Sequence, residues 1–240
     1  MLPKIKRSKY ILILLLVLSS YSLKAWEVRT DSTLFVNPWI GLSHYKILGC
    51  PQSFSSNYLS YGIDFDYRFH SELSFKFGVS LMSKGNYYFA SYVNSENTPM
   101  GEFKTFNKFQ YLSFPLLLTY NLFGGKKLNF FIDLGVNAEF LLQAKTYAKL
   151  PKTFEGVSVE PVNVVNTDTY KPLNFSLVVG CGFEYKIKPN LLVFVQAKYD
   201  HGVNQILKEN STYIFKHRGY CAGIGIKIGI PIKYTTSTNK

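Results

Sequence analysis

Two adjacent pairs offer the sharpest chemistry in this sequence, Ser43-His44 and Asp200-His201. A serine beside a histidine would suit the nucleophile and base of a lipid hydrolase. Triad members meet in space rather than along the chain, however, so adjacency alone is a weak signal. The four histidines, His44, His70, His201 and His217, include no pair at metal-ligand spacing, and there is no HExxH or CxxC. Cys50, Cys181 and Cys221 are too few for a disulfide framework and behave as small apolar residues. No catalytic residue, cofactor or metal is therefore expected. A larger polar set comprises Asp64, Asp66, Arg68, Lys76, Asp133, Glu139, Glu184, Lys198, Asp200 and Lys227, with Lys233 beside them. If this nearly charge-balanced set is enclosed, its members must pair or stay hydrated, because burying an unpaired charge costs several kcal/mol. The expected role is a structural, salt-bridged network, with Tyr199, Asp200 and His201 near a hydrated rim.

These residues owe their common side to period-2 alternation, the signature of strands. From Tyr220 to Tyr234 every second residue is apolar: Tyr220, Ala222, Ile224, Ile226, Ile228, Ile230, Ile232 and Tyr234. Cys221, Gly223, Gly225, Lys227, Gly229, Pro231 and Lys233 fall between them. The same habit appears over 59–70, 73–82, 111–122, 128–142, 173–187 and 191–203, and more weakly over 34–45. Eight strands follow, several longer than the usual ~5–6 residues of soluble sheets. Their connections alternate in length. Lys46–Ser56, Lys84–Lys108, Tyr147–Tyr170 and Asn204–Phe215 read as longer links, separated by tight turns at His70-Ser71-Glu72, Gly124–Lys127 and Lys188-Pro189-Asn190. That is an up-and-down meander with its longer links at one end.

Volume decides which face looks inward. The apolar faces carry about fifty side chains. An eight-stranded interior is filled by about a dozen, as in the layered core of a TIM barrel. The apolar face must therefore look outward into lipid. The lumen takes the Gly, Ser, Asn and charged face, where Gly229 should accept Ser almost silently. Tyr67, Phe69, Tyr120, Phe123, Tyr185 and Tyr234 would form one aromatic girdle, and Tyr45, Tyr58, Phe109, Tyr199 and Tyr220 the other. The expected fold class is all-β, an eight-stranded antiparallel up-and-down transmembrane β-barrel, a closed form that leaves no unpaired edge in hydrocarbon.

The N-terminus supports export. Lys4, Lys6, Arg7 and Lys9 precede the apolar run Ile11–Leu18, and a small residue, Ala25, closes the segment. Residues 1–25 are expected to be a cleaved signal peptide and 26–240 the barrel, since the run is too short for the ~20 residues of a spanning helix. The chain carries 27 basic and 15 acidic residues, and five of the basic ones lie in the leader. The remaining excess is mild and spread out, so no nucleic-acid partner is expected.

The segment Phe109-Gln-Tyr-Leu-Ser-Phe-Pro115-Leu-Leu-Leu-Thr-Tyr120, followed by Phe130-Phe-Ile-Asp-Leu-Gly135-Val, resembles the PorT-like outer-membrane barrel family of Bacteroidota. Asn174–Tyr185, and Ala197-Lys-Tyr199 with Gly202, resemble its sixth and seventh strands; Phe114 stands where an aliphatic residue is usual. The resemblance implies a non-enzymatic integral protein of the cell outer membrane. Some members are implicated in secreting cargo across that membrane. The expected function is structural, or an accessory role in protein secretion. The expected partners are outer-membrane lipid and other envelope or secretion proteins, reached through the long extracellular loops or periplasmic turns. A small solute channel and a lipid-modifying enzyme are the alternatives.

Overall fold

The computed structural model describes residues 31–50, 52–93, 99–124, 127–149, 153–154, 157–158, 163–208 and 214–233. The expected leader, the turn residues Gly125 and Lys126, and the girdle residue Tyr234 lie outside them, as do the side chains of Phe123 and Lys233. Eight long strands dominate: β1 (Asp31–Leu48), β2 (Phe54–Arg68), β3 (Leu73–Val93), β4 (Pro99–Gly124), β5 (Leu128–Lys149), β6 (Leu173–Lys188), β7 (Leu191–Gly202) and β8 (Lys216–Lys233). Each pairs antiparallel with its sequence neighbours. β1 closes the ring on β8, from Asp31↔Lys233 to Leu48↔Lys216. That register passes over Asn37 and Pro38, where proline supplies no N–H.

Alternation translates directly into burial. On β4, Tyr111, Ser113, Pro115, Leu117 and Thr119 point into the ring and are buried. Phe114, Leu116, Leu118 and Tyr120 point out and are exposed. Ile224, Ile226, Ile228 and Ile230 on β8 do the same. The outer surface is thus a continuous apolar belt, and the core lies within the ring.

The ring interior is fitted by aromatic rings laid over glycines. A Cβ at Gly182 would lie 2.4 Å from the Phe131 ring, and one at Gly225 2.5 Å from Phe194. At Gly229 the distance to Phe35 would be 2.8 Å. The expectation that Gly229 accepts Ser silently is corrected by this contact: the small residue is the seat of a ring.

The strands run further than their apolar pattern indicates. Within the long link Lys84–Lys108, β3 runs on to Val93 and β4 starts at Pro99, with Lys84↔Phe109 and Asn86↔Asn107 in register, so the strands extend well past the apolar belt. β5 likewise continues through Tyr147. Beyond it lie the short pair Thr153–Phe154 and Val157–Ser158 and the strand Asn163–Val165. The first connection shrinks to residues 49–53.

Candidate functional site

The polar residues singled out from the sequence converge inside the ring as three stacked ionic layers. Near the short-turn end, Lys227 Nζ bonds Asp66 Oδ2 at 2.7 Å and also Glu184. Arg68 reaches the other Glu184 oxygen at 3.4 Å. One layer up, Lys76 chelates both Asp133 oxygens at 2.9 and 2.7 Å, while Thr119 Oγ1 donates to Asp133 at 2.6 Å. Lys198 lies 3.3 Å from Asp64. In the third layer Lys84 Nζ bonds Glu139 at 2.5 Å and lies 3.5 Å from Asp200, whose carboxylate also accepts from the Tyr45 hydroxyl. Asn137 and Asn174 each donate to Glu139 at 2.9 Å.

Strand geometry explains the convergence. Alternate residues share a face, and Lys and Glu are long enough to reach across a narrow ring. All six carboxylates of the predicted set are paired. The aromatic rings supply a second contact, with Lys76 4.7 Å from the Phe131 centroid and Lys84 4.5 Å from that of Tyr45.

Three residues sit differently from expectation. Asp200 is buried in the third layer rather than at a hydrated rim. Tyr45 and Phe109 point inward and are buried, so neither belongs to the outer girdle. Both follow from strand phase: each shares its face with the lumen residues two positions away, Ser43 and Tyr111.

Sequence reasoning missed Lys84 and His217. Lys84 opens the long link expected after β3, yet it continues the lumen register of Lys76 and Met82. His217 is buried, and its Nε2 lies 2.9 Å from the Tyr111 hydroxyl. Above it, Phe109 meets the Tyr170 ring edge-on at 4.8 Å. Burial and the neighbouring Tyr88 hydroxyl hold the Tyr170 phenol above its ordinary range.

The two adjacent pairs are split by the same geometry. Ser43 points inward and bonds the Ser60 hydroxyl at 2.9 Å and the Ser83 carbonyl at 2.6 Å. His44 points outward, 2.5 Å from Asn57. Asp200 points inward, while His201 takes the outward register. Among the described residues no group of His, Cys, Asp and Glu could hold a metal ion, and no two of the three cysteines form a disulfide.

The cavity between Trp39, Met82, Leu117 and Cys221 holds about 20 Å³, room for roughly one water. A wider vestibule of about 420 Å³ opens at the short-turn end, lined by Arg68, Glu72, Lys127, Asn129, Glu184 and Lys186.

A closed antiparallel ring with an apolar exterior and an ion-paired interior is a transmembrane β-barrel. The model of the family described as outer membrane protein beta-barrel domain matches residues 20–208. The chain belongs to that family, which places it in the outer membrane. Similar solved structures include the N-terminal barrel domain of Pseudomonas aeruginosa OprF (10% identity, 82% of this chain and 97% of that one, TM-score 0.40). Neisserial surface protein A is another (13%, 86% and 99%, 0.39), as is OprG from Pseudomonas aeruginosa (13%, 85% and 97%, 0.40). No curated protein matches the chain.

Proposed function

We propose that this outer-membrane barrel is non-catalytic and non-conducting, and that it serves as a structural or accessory component of protein secretion through its projecting hairpins and its periplasmic turns. The observation that carries this reading is the filled lumen. Selective pores keep an open path lined by charge of one sign, whereas here lysines and carboxylates alternate and pair across the ring in every layer. The opposite facing of Ser43 and His44 supports the absence of Ser-His chemistry. The PorT-like resemblance of Phe109–Tyr120 supports the secretion role. A small solute channel is the second reading, favoured by the vestibule beside Lys127 and Lys186.

Planar-bilayer recording of the refolded mature chain separates the two. The expected result is no steady conductance above background; reproducible single-channel steps would replace the first reading with the second. For the secretion role, joining Asn86 to Asn107 by a two-residue turn removes the hairpin tip and spares Lys84. A heat-modifiable barrel should remain, with secreted cargo lost from the medium. Unchanged secretion by that variant would remove the hairpin from the mechanism.

A further inference from the structure

The hairpin of β3 and β4 carries an outward surface that neither the lumen nor the lipid belt explains. On β4 the apolar outward run ends at Leu112, and the next outward residues are Gln110, Lys108, Phe106 and Lys104. On β3 the outward register passes through Ser83 and Gly85, both buried, Gly85 beneath the Tyr58 ring, before apolar residues resume at Tyr87 and Phe89. A polar collar thus separates the belt from a second aromatic field.

That field is built, not scattered. Phe106 stacks on Tyr147 of β5 at 5.0 Å with planes 6° apart, and it meets Tyr87 at 5.6 Å. Tyr87 stacks on Phe54 of β2 at 5.2 Å. Lys104 lies 5.4 Å from the Tyr87 centroid and 5.5 Å from that of Phe89. Lys108 lies 5.6 Å from the Tyr58 ring. Lys145 stands beside Lys108 in register on β5, on the same face. None of the three lysines forms a described salt bridge.

Height selects the partner. A barrel strand rises ~3.3 Å per residue and tilts ~40°, so each residue climbs about 2.5 Å along the membrane normal. Lys108 and Lys104, four and eight residues beyond Leu112, therefore stand about 10 and 20 Å above the apolar belt. The interfacial layer of a bilayer is only about 5–8 Å deep on each side. An ordinary phospholipid headgroup lies below the field. A glycolipid that carries phosphorylated sugars above its acyl chains reaches it. Flat aromatic faces suit the apolar faces of sugar rings, and lysines without a salt bridge among the described residues suit phosphate as charge-assisted donors.

We propose that the outward face of the β3–β4–β5 extension binds the phosphorylated saccharide of an outer-leaflet glycolipid, with the Phe106–Tyr147–Tyr87 field under the sugars and Lys104, Lys108 and Lys145 on the phosphates. This names a ligand for the projecting hairpin and rests on the reading that the hairpin is extracellular and carries the activity.

The test uses the full mature chain in detergent. Its probe is bis-phosphorylated lipid A carrying inner-core sugars, with its dephosphorylated and its deacylated forms alongside, and bound adducts are measured by native mass spectrometry. The wild type should bind the intact glycolipid in preference to both altered forms. Lys104→Gln/Lys108→Gln/Lys145→Gln should stay heat-modifiable and bind about tenfold more weakly, the sum of three modest exposed charge contacts. Phe106→Leu with the lysines intact should also weaken binding. Wild-type affinity in the triple variant, or equal binding of the dephosphorylated form, would overturn the proposal. Equal binding of the deacylated saccharide would overturn the membrane glycolipid as its source. A conducting wild-type barrel would instead sink the sealed-lumen reading and leave the binding result intact.

Discussion

Replacing Lys84 by methionine tests whether the lumen is sealed. The ammonium is fully buried, 2.5 Å from Glu139 and 3.5 Å from Asp200, and it lies 4.5 and 5.9 Å from the centroids of the Tyr45 and Tyr111 rings. Methionine keeps most of that volume and removes the charge, leaving two buried carboxylates without their shared cation. Breaking a buried pair by deleting one partner costs about 3–5 kcal/mol. The Asn137 and Asn174 donors to Glu139 are already engaged in the parent, so they do not offset the loss. Adding Glu139→Gln removes one of the stranded charges, and coupling within one network should return about 0.5–3 kcal/mol. Denaturant titration in detergent, followed by heat-modifiable gel mobility and tryptophan fluorescence, reads both values, because Trp39 packs in the same lumen. A loss below about 1 kcal/mol, the range of exposed ion pairs, would refute the reasoning. It would mean that water reaches Lys84 and that the third layer does not close the ring.

Other expectations follow from the two faces. Ile226→Arg, outward near the middle of β8, should destabilise the barrel by about 2–4 kcal/mol, whereas Ile232→Arg near the strand end should lose only about 0–1, as measured by refolding into lipid vesicles. Gly182→Ala drives a methyl against Phe131 and the Val195 carbonyl, and should lose about 1–3 kcal/mol on the same titration. In detergent, a thiol reagent should label Cys181, which is exposed, and leave the buried Cys221 untouched until the barrel unfolds. A cysteine placed at Lys104 in a cysteine-free chain should react with an impermeant reagent on intact cells, and one at Lys186 should not. Equal labelling would invert the topology.

Legibility in the sequence tracked how cleanly each strand alternates. Between Tyr220 and Lys233 the alternation is unbroken, and the structure continues it as a single strand to Lys233. Lys84 escaped because its outward neighbours are Ser83 and Gly85 rather than apolar residues, so the contrast that marks a strand vanished while the strand went on. The upper half of β5 escaped for a different reason. Gln110 pairs with Gln143 but Tyr111 pairs with Leu141, so Leu142 is an extra residue that reverses the phase beyond it. Above that bulge odd-numbered residues of β5 face outward, which is why Tyr147 joins the outer field and Ala144 the interior. A similar irregularity between Ser55 and Tyr61 shifts β2. Tyr45 and Phe109 were misplaced because an aromatic residue suits a girdle and a lumen equally well; only the strand phase separates them.

A buried ionic interior is rarely the most stable solution, since well-packed apolar residues of equal volume often do as well or better. An apolar interior would nevertheless make each strand continuously hydrophobic. An eight- to ten-residue strand of that kind resembles a leader core, and two joined by a tight turn approach the ~20 apolar residues of a spanning helix. Exported chains must cross the inner membrane and the periplasm before they fold, and a run of that length would stop them or make them aggregate. Alternation keeps hydrophobic residues to 47% of the sequence, and the polar half has to go somewhere once the ring closes. Ion-paired groups such as Lys76–Asp133 and Lys227–Arg68–Asp66–Glu184, each balanced in charge, are what a closed ring can do with that half. The charged lumen is thus accounted for by biogenesis and closure, without a transported solute. The aromatic and lysine residues above the belt, which neither constraint requires, are where a selected activity is to be sought.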